Sequence, residues 1–433
     1  MIWNSSQESM SRDELAACQS RRLRELVQRV YHGVAFYRDK MQRLGMMPED
    51  IRTVEDLPSL PFTTKSDLRD NYPFGLFGVP LDQIVRLHAS SGTTGRPTVV
   101  GYTRRDIGVW SEVIARSLAS TGTTPTDLIQ VAYGYGLFTG GLGLHYGAEK
   151  LGCAVIPISG GNSKRQVQIM RDFGTTVLAC TPSYALHLAE AIADEHIDRS
   201  DLKLRVGVFG AEPWTDGMRR EIEQRLGLTA MDIYGLSEVM GPGVACECSA
   251  RCGLHVQEDH FFPEIVDPES LKTQDPAIRG ELVFTTLTKE GLPLLRYRTR
   301  DLTTLDASAC ACGRTTVRMA KCLARSDDML IIRGVNVFPS QIEAVLMGLA
   351  GVAPHYVIEV DREHNLDVLS LLVEVDERLF ADTMGQLESW TASVRRQIES
   401  ALGVSIRVRL VEPKTIARSE GKAKRVIDRR NIQ

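Results

Sequence analysis

Between Asp106 and about Gly210 the chain swaps helical for β-rich character again and again, and that alternation constrains its fold more than any other feature. The helical runs are "RRDIGVWSEVIARSLASTG", "GGLGLHYGAEKLG", "SKRQVQIMRDFG" and "SYALHLAEAIADEHI". Between them stand "DLIQVAYG", "AVIPIS", "TTVLACTP" and "LRVGVFGAE", short and β-rich. Parallel strands need a long crossover, usually a helix, so this order predicts an α/β fold with a parallel sheet and helices on both faces. Ligand loops then gather at the carboxyl ends of the strands.

The flanks differ. "SRDELAACQSRRLRELVQRVYHGVAFYRDKMQRLG" reads as helix, with capping-box spacing at Ser11 and Glu14. Residues 256–305 are β-rich and predict a strongly bent sheet or barrel. Past Asp327, Pro339, Ser340 and Glu343 begin a helix with a capping box. The strands "HYVIEV" and "DVLSLLVEV" follow, then a long helix from about Phe380 to Leu402 and the strand "SIRVRLVE". This is a small α+β unit of ordinary domain size. The expected division is therefore 1–326, a large doubly wound domain with a β-rich subdomain, and 327–433, a small α+β domain. A length of 433 residues favours more than one core.

Acids and bases are interspersed and the net charge is −4, which argues against a nucleic-acid binder. No apolar run is long enough for a membrane span, and the polar N-terminus has no signal core, so the expected location is the cytoplasm.

"HASSGTTGRPT", residues 88–98, stands between the β runs "QIVRLHASS" and "PTVVGYT". Gly92 and Gly95 let backbone approach a polyanion, and Ser90, Ser91, Thr93 and Thr94 add hydroxyl donors. The order is strand, loop, strand, and the Lys-Ser/Thr pair of an ATPase phosphate loop is missing.

Together with "FGAEPW" (209–214), "DIYGLSE" (232–238), "YRTRD" (297–301), "RSDD" (325–328) and "ARSEGKAKR" (417–425), this loop resembles the motifs of the adenylate-forming enzymes, the superfamily of acyl-CoA synthetases, adenylation domains and luciferases. The likeness covers nearly the whole chain. It is closest to the phenylacetate-CoA ligase family, through "YGYGLFTGGLG", "PISGGN", "YGLSEVMGPGVA", "LTKEGLPLLRYRTRDLT" and "RSDDMLIIRGVNVFPSQIE".

The resemblance implies an AMP-forming ligation of an aryl acid to coenzyme A through an acyl-adenylate. Phenylacetate is the first expectation; indoleacetate, benzoate, or loading of a carrier protein are the alternatives. The chain reaches Gln433 without a carrier or condensation domain, which favours coenzyme A. ATP would be held by Ser90, Ser91, Gly92, Thr93, Thr94 and Gly95, by Gly210, Ala211, Glu212 and Pro213, and by Asp232, Tyr234, Gly235, Ser237, Asp301 and Arg325. Tyr234 is expected beside adenine, Asp301 on the ribose and Glu238 on Mg²⁺. Lys422 is the expected catalytic ammonium and Asp327 the hinge of a mobile C-terminal domain. Tyr133, Tyr135, Phe138, Gly140 and Gly141 would form the aryl pocket. Arg96, Ala324 and Ala417 depart from the family's Lys, Gly and Pro. A homodimer would suit the family.

The chain has nine cysteines, and six of them, Cys246, Cys248, Cys252, Cys310, Cys312 and Cys322, fall in one part of the sequence. With His255 they suggest a structural, four-coordinate Zn²⁺. The expected set is Cys248, His255, Cys310 and Cys312, with Cys246 and Cys252 as competitors. His260 reads as a hydrogen-bonded structural residue.

Overall fold

In the computed structural model, which describes residues 1–90, 97–326, 330–333, 335–349, 352–363, 366–375 and 384–430, the alternating region forms the expected parallel sheet. Ala154–Ile156, Leu128–Val131, Val177–Cys180, Val206–Gly210 and Thr229–Leu236 lie side by side in that order, all parallel. Val177–Cys180 and Val206–Gly210 are buried at every position, as strands covered on both faces are. From Leu128–Val131 the chain adds one neighbour to the left and the next to the right, which makes a switch point and opens a crevice. Gly241–Glu247 and Leu254–Val256 continue the sheet antiparallel, and two short strands bring it to nine.

The β-rich region is an open sheet and not a barrel. Phe261–Val266, Gly280–Thr286, Tyr297–Thr303 and Ala324–Arg325 pair antiparallel in that order. Four strands, the last of two residues, are too few to close on themselves.

The N-terminal helix is two helices, Arg12–Gly33 and Ala35–Arg43. Val34 between them is extended, and the break follows Gly33, where a β-carbon would lie in ordinary contact, 3.4 Å, with the carbonyl oxygen of Gly78. The Ser11–Glu14 capping box is present.

Beyond residue 329, Val352–Glu363 and Leu366–Val375 form a hairpin, flanked in parallel by Val426–Asp428 and Ile406–Val411. Helices Pro339–Leu346 and Met384–Leu402 accompany them; the expected start of the second, Phe380, lies outside the described residues. The cap of the first differs from expectation. Phe338 is the N-cap, and Gln341, not Glu343, accepts its backbone N–H. With Pro339 at the first helical position the third falls on Gln341, and Glu343 is left for other partners.

Apolar residues bury themselves in three clusters. Two are drawn from residues up to Cys322, and the third from Leu330 onward only. No helix among the described residues is long and apolar enough to cross a membrane.

Candidate active site

The carboxyl ends of the parallel strands open into a cavity of about 220 Å³, lined by pieces of chain from Tyr133 to Lys422. Strand Val206–Gly210 delivers Gly210, Ala211, Glu212 and Pro213. Gly210 passes so close to its neighbour that a β-carbon would strike the Ile233 carbonyl oxygen at 2.1 Å. Ala211 follows with φ of +73°, a region that costs a side-chain-bearing residue energy. The chain is thus turned sharply across the sheet edge. Strand Thr229–Leu236 delivers Asp232, Tyr234 and Gly235, and Ser237 follows it.

Asp301 reaches the cavity from the β-rich sheet. Tyr234 donates its hydroxyl to Asp301 Oδ2 at 2.6 Å, and Arg325, directly across the strand pair, stands 3.5 Å from Oδ1. The two arginines beside Asp301 in sequence turn elsewhere: Arg298 and Arg300 both pair with Glu281, at 2.6 and 3.6 Å. Burial holds Asp232 up at about 6 and keeps the Tyr234 phenol protonated.

Lys422 lines the cavity from the C-terminal unit. It is exposed, and among the described residues its ammonium has no ion-pair or side-chain partner. Its neighbours are gripped instead. Thr181 donates to the Gly421 carbonyl at 2.9 Å, and the Ala423 N–H donates to Glu212 at 2.9 Å. The other Glu212 oxygen accepts from the Ser183 N–H at 2.6 Å. Glu212 therefore lines the cavity with its carboxylate committed to the chain around Lys422.

Glu238 is buried just behind the lining. Lys65, from helix Lys65–Asp70, approaches its carboxylate at 3.7 Å, and buried Lys289 donates to its backbone carbonyl at 3.0 Å. Desolvation lowers Lys289 to about 7. Lys65 lies outside the motif segments, and Lys289, though inside "LTKEGLPLLRYRTRDLT", carries no local sign of this role.

The Ser/Thr/Gly-rich loop leaves and returns at one point. Strands Ile84–Ala89 and Val99–Thr103 pair antiparallel, the Ser90 N–H donates to Thr98 O at 3.0 Å, and the Thr98 N–H donates to Ser90 Oγ at 3.2 Å. The Ala89 N–H, donating to Leu137 O, sets this base beside the cavity wall at Phe138. Ser91, Gly92, Thr93, Thr94, Gly95 and Arg96 lie outside the described residues, as does Asp327.

Of the expected aryl pocket, Tyr133, Phe138 and Gly140 line the cavity; Tyr135 and Gly141 do not. Tyr135 packs edge-on against His145, and a side chain at Gly141 would meet the Gly134 carbonyl and the Tyr135 ring. Gly141 thus makes room for Tyr135. Tyr133 spends its hydroxyl on the Cys180 and Gly210 carbonyls. Thr139, Trp214 and Cys322 were not among the expected residues but line the cavity.

Cys322 thereby leaves the cysteine group. Cys248, His255, Cys310 and Cys312 converge, with one ligand atom of each within 4.8 Å of all the others. Cys248 and Cys310 sulfurs are 3.7 Å apart, and Cys312 Sγ is 3.4 Å from His255 Nε2. His255 Nδ1 is occupied by Thr316, which leaves Nε2 to face the thiols. Cys246 points away, to the Ser117 carbonyl, because strand Gly241–Glu247 ends before Cys248 and alternation does not carry across. Cys252 lies 3.8 Å from Cys310 but contacts Arg318. His260 is buried and bonded to Thr288.

A cavity at the carboxyl ends of a parallel sheet, lined also by a residue of the C-terminal unit, is where an α/β protein of this kind binds its ligand. Residues 21–287 match the family model described as AMP-binding enzyme, and residues 334–430 that of the AMP-binding enzyme C-terminal domain. The chain belongs to the AMP-binding enzymes, in the family of the phenylacetate-coenzyme A ligases. It is 54% identical to the phenylacetate-coenzyme A ligase of Escherichia coli (strain K12), covering 98% of this chain and 97% of that one. A 2-hydroxyisobutyryl-CoA ligase in its postadenylation state with R3-HIB-AMP superposes with a TM-score of 0.93 at 31% identity, covering 99% and 92% of the two chains. The same ligase in the thioesterification state, with 2-HIB-AMP and CoA, gives 0.73 at 32% identity and the same coverage.

Proposed function

We propose that this chain joins phenylacetate to coenzyme A at the expense of ATP, with AMP and pyrophosphate as the other products. The observation that carries the reading is Lys422, from the C-terminal unit, in one cavity with Tyr234, Asp301 and the 210–213 turn. An acid's carboxylate attacks the α-phosphate, the acyl-adenylate forms and pyrophosphate leaves. Negative charge grows between the acyl oxygen and phosphorus, where a preorganised ammonium stabilises it most. Asp301, oriented by Tyr234 and Arg325, accepts from the ribose hydroxyls. Phe138 and Tyr133 offer flat apolar surface to an aryl ring.

In the second half, the coenzyme A thiol attacks the acyl carbon, AMP leaves and the thiol proton is lost. The closer superposition on the postadenylation relative supports reading the present arrangement as the one for adenylation. Turning of residues 327–433 against 1–326, about a hinge at Asp327, would then clear Lys422 from the cavity.

Two metals belong to the proposal. Glu238 would hold Mg²⁺, since one carboxylate is enough for that ion alongside phosphate oxygens, and the ion would neutralise phosphate charge. Zn²⁺ fits Cys248, His255, Cys310 and Cys312. Tetrahedral ligands at about 2.3 Å place sulfurs roughly 3.8 Å from each other, close to the observed 3.7 Å. Its contribution would be structural, tying the turn after Gly241–Glu247 to the segment at 310–312.

Pyrophosphate release over a panel of aryl acids, with and without coenzyme A, tests the function. Phenylacetate is expected to turn over best and only with coenzyme A present. Lys422→Ala should lower adenylate formation by on the order of 10²–10³. Unchanged adenylate formation in that variant overturns the reading.

A further inference from the structure

The helix Pro182–Asp194 begins beside the cavity-lining Glu212, which accepts from its Ser183 N–H, and one of its faces is polar. Ser183, His187, Glu190 and Asp194 follow one another at spacings of four, three and four, the repeat of a single helical face. The C-terminal unit rests on that face. Arg425 donates to Ser183 Oγ at 3.2 Å, and Lys414 meets Asp194 at 2.9 Å.

Glu190 is the hub. Arg418 grips its carboxylate with two nitrogens, at 2.7 and 3.0 Å, and His355 Nε2 lies 2.8 Å from it. The same guanidinium binds Glu374 of its own unit at 2.6 and 2.8 Å. Glu190 and Arg418 are largely buried, with side-chain exposures of 17% and 13%. A bidentate, charge-assisted pair shielded from water is far more rigid and stronger than an exposed one.

We propose that Glu190 is a positioning residue for adenylation: by holding Arg418 it keeps Lys422, four residues further along the chain, inside the nucleotide cavity. The inference rests on the reading of Lys422 given above. Among the described residues, the polar partners of Glu190, which are His187, His355 and Arg418, do not line the cavity, so it acts through Arg418 and His355. Before the C-terminal unit can turn, the Glu190 bonds must break while the Arg418–Glu374 bonds, internal to the moving unit, persist. Arg418 thus keeps one carboxylate partner in both arrangements, which lowers the cost of release.

Glu190→Gln tests this, with each half-reaction measured alone. Phenylacetate-dependent ATP–pyrophosphate exchange should fall about tenfold, as loss of a hydrogen-bonded charge partner implies. Thioester formation from supplied phenylacetyl-adenylate and coenzyme A should hold or rise. Equal loss in both halves makes Glu190 merely structural and overturns the proposal, as does no loss in either. A second arm uses the exposed pair, where substitutions do not threaten folding. Lys414→Asp should lower exchange about twofold, and adding Asp194→Lys should restore it; failure of that rescue counts against a docking face. Wild-type protein without any acid-dependent exchange would refute the ligase reading itself, a result distinct from either arm.

Discussion

Lys289 sits where a lysine is costly. It is 1% exposed, stacked 4.7 Å from the centre of the Tyr102 ring, with its ammonium on the Glu238 carbonyl. Desolvation lowers it to about 7, against the pull of Asp106 and Glu238. A lysine depressed in the folded state weakens folding as pH falls from its unfolded value toward the folded one, since the unfolded chain takes up the proton first. The stability of wild type relative to Lys289→Met should therefore decline as pH drops from about 10.4 to about 7 and level off below. Chemical denaturation across that range measures it; a difference independent of pH would show that the ammonium is solvated. The residue was illegible as a site component. Its segment, "LTKEGLPLL", signals family membership, and nothing local tells that the lysine points inward beneath Glu238.

The thiol group shows how elements, more than residues, decide which cysteines converge. Cys310 and Cys312 lie in a turn after Leu305–Asp306, and Cys248 and His255 bracket the turn into Leu254–Val256. The spacing of ligands in short pairs was readable along the chain. Cys248 stood in the expected set with Cys246 as its competitor, and Cys248 is the one that converges with His255, Cys310 and Cys312. Alternation alone could not separate the two, because the strand ends at Glu247. Cys322 is near the others in sequence only: its segment runs beside Asp301, an edge pairing that only the folded sheet reveals. Purified protein should carry about one zinc per chain, as a closed four-ligand site does. Cys310→Ala should lose it and unfold at lower temperature, while retaining most adenylate formation at 25 °C. Metal analysis and a thermal scan check this; a metal-free wild type of unchanged stability would remove the zinc.

For the whole molecule, the chain's alternating middle was legible because periodicity reports local burial, and the motif segments because each is contiguous. The break at Gly33, the open β-rich sheet and the role of Glu343 were not. Each depends on contacts between distant residues, Glu343 accepting from the Thr215 N–H at 3.0 Å and the Tyr356 hydroxyl at 2.8 Å. The polar face of helix Pro182–Asp194 also went unread, since it finds its partners only in the C-terminal unit placed on it. Hydrogen exchange should report the turning of that unit. With phenylacetate and ATP, the Ala423 amide, bonded to Glu212, should exchange slowly; coenzyme A should accelerate the peptide spanning residues 419–425 several-fold as local opening increases. Equal exchange in both conditions would mean the unit does not move.

That polar face also bears on hybrid enzymes. A C-terminal lobe transplanted from a cousin would arrive with its own counterpart of Arg418, His355 and Lys414, searching for a carboxylate two helical turns beyond Ser183. A recombinant junction drawn through the hinge alone would leave this seam mismatched; moving Ser183, His187, Glu190 and Asp194 together with the lobe keeps lock and key from the same parent.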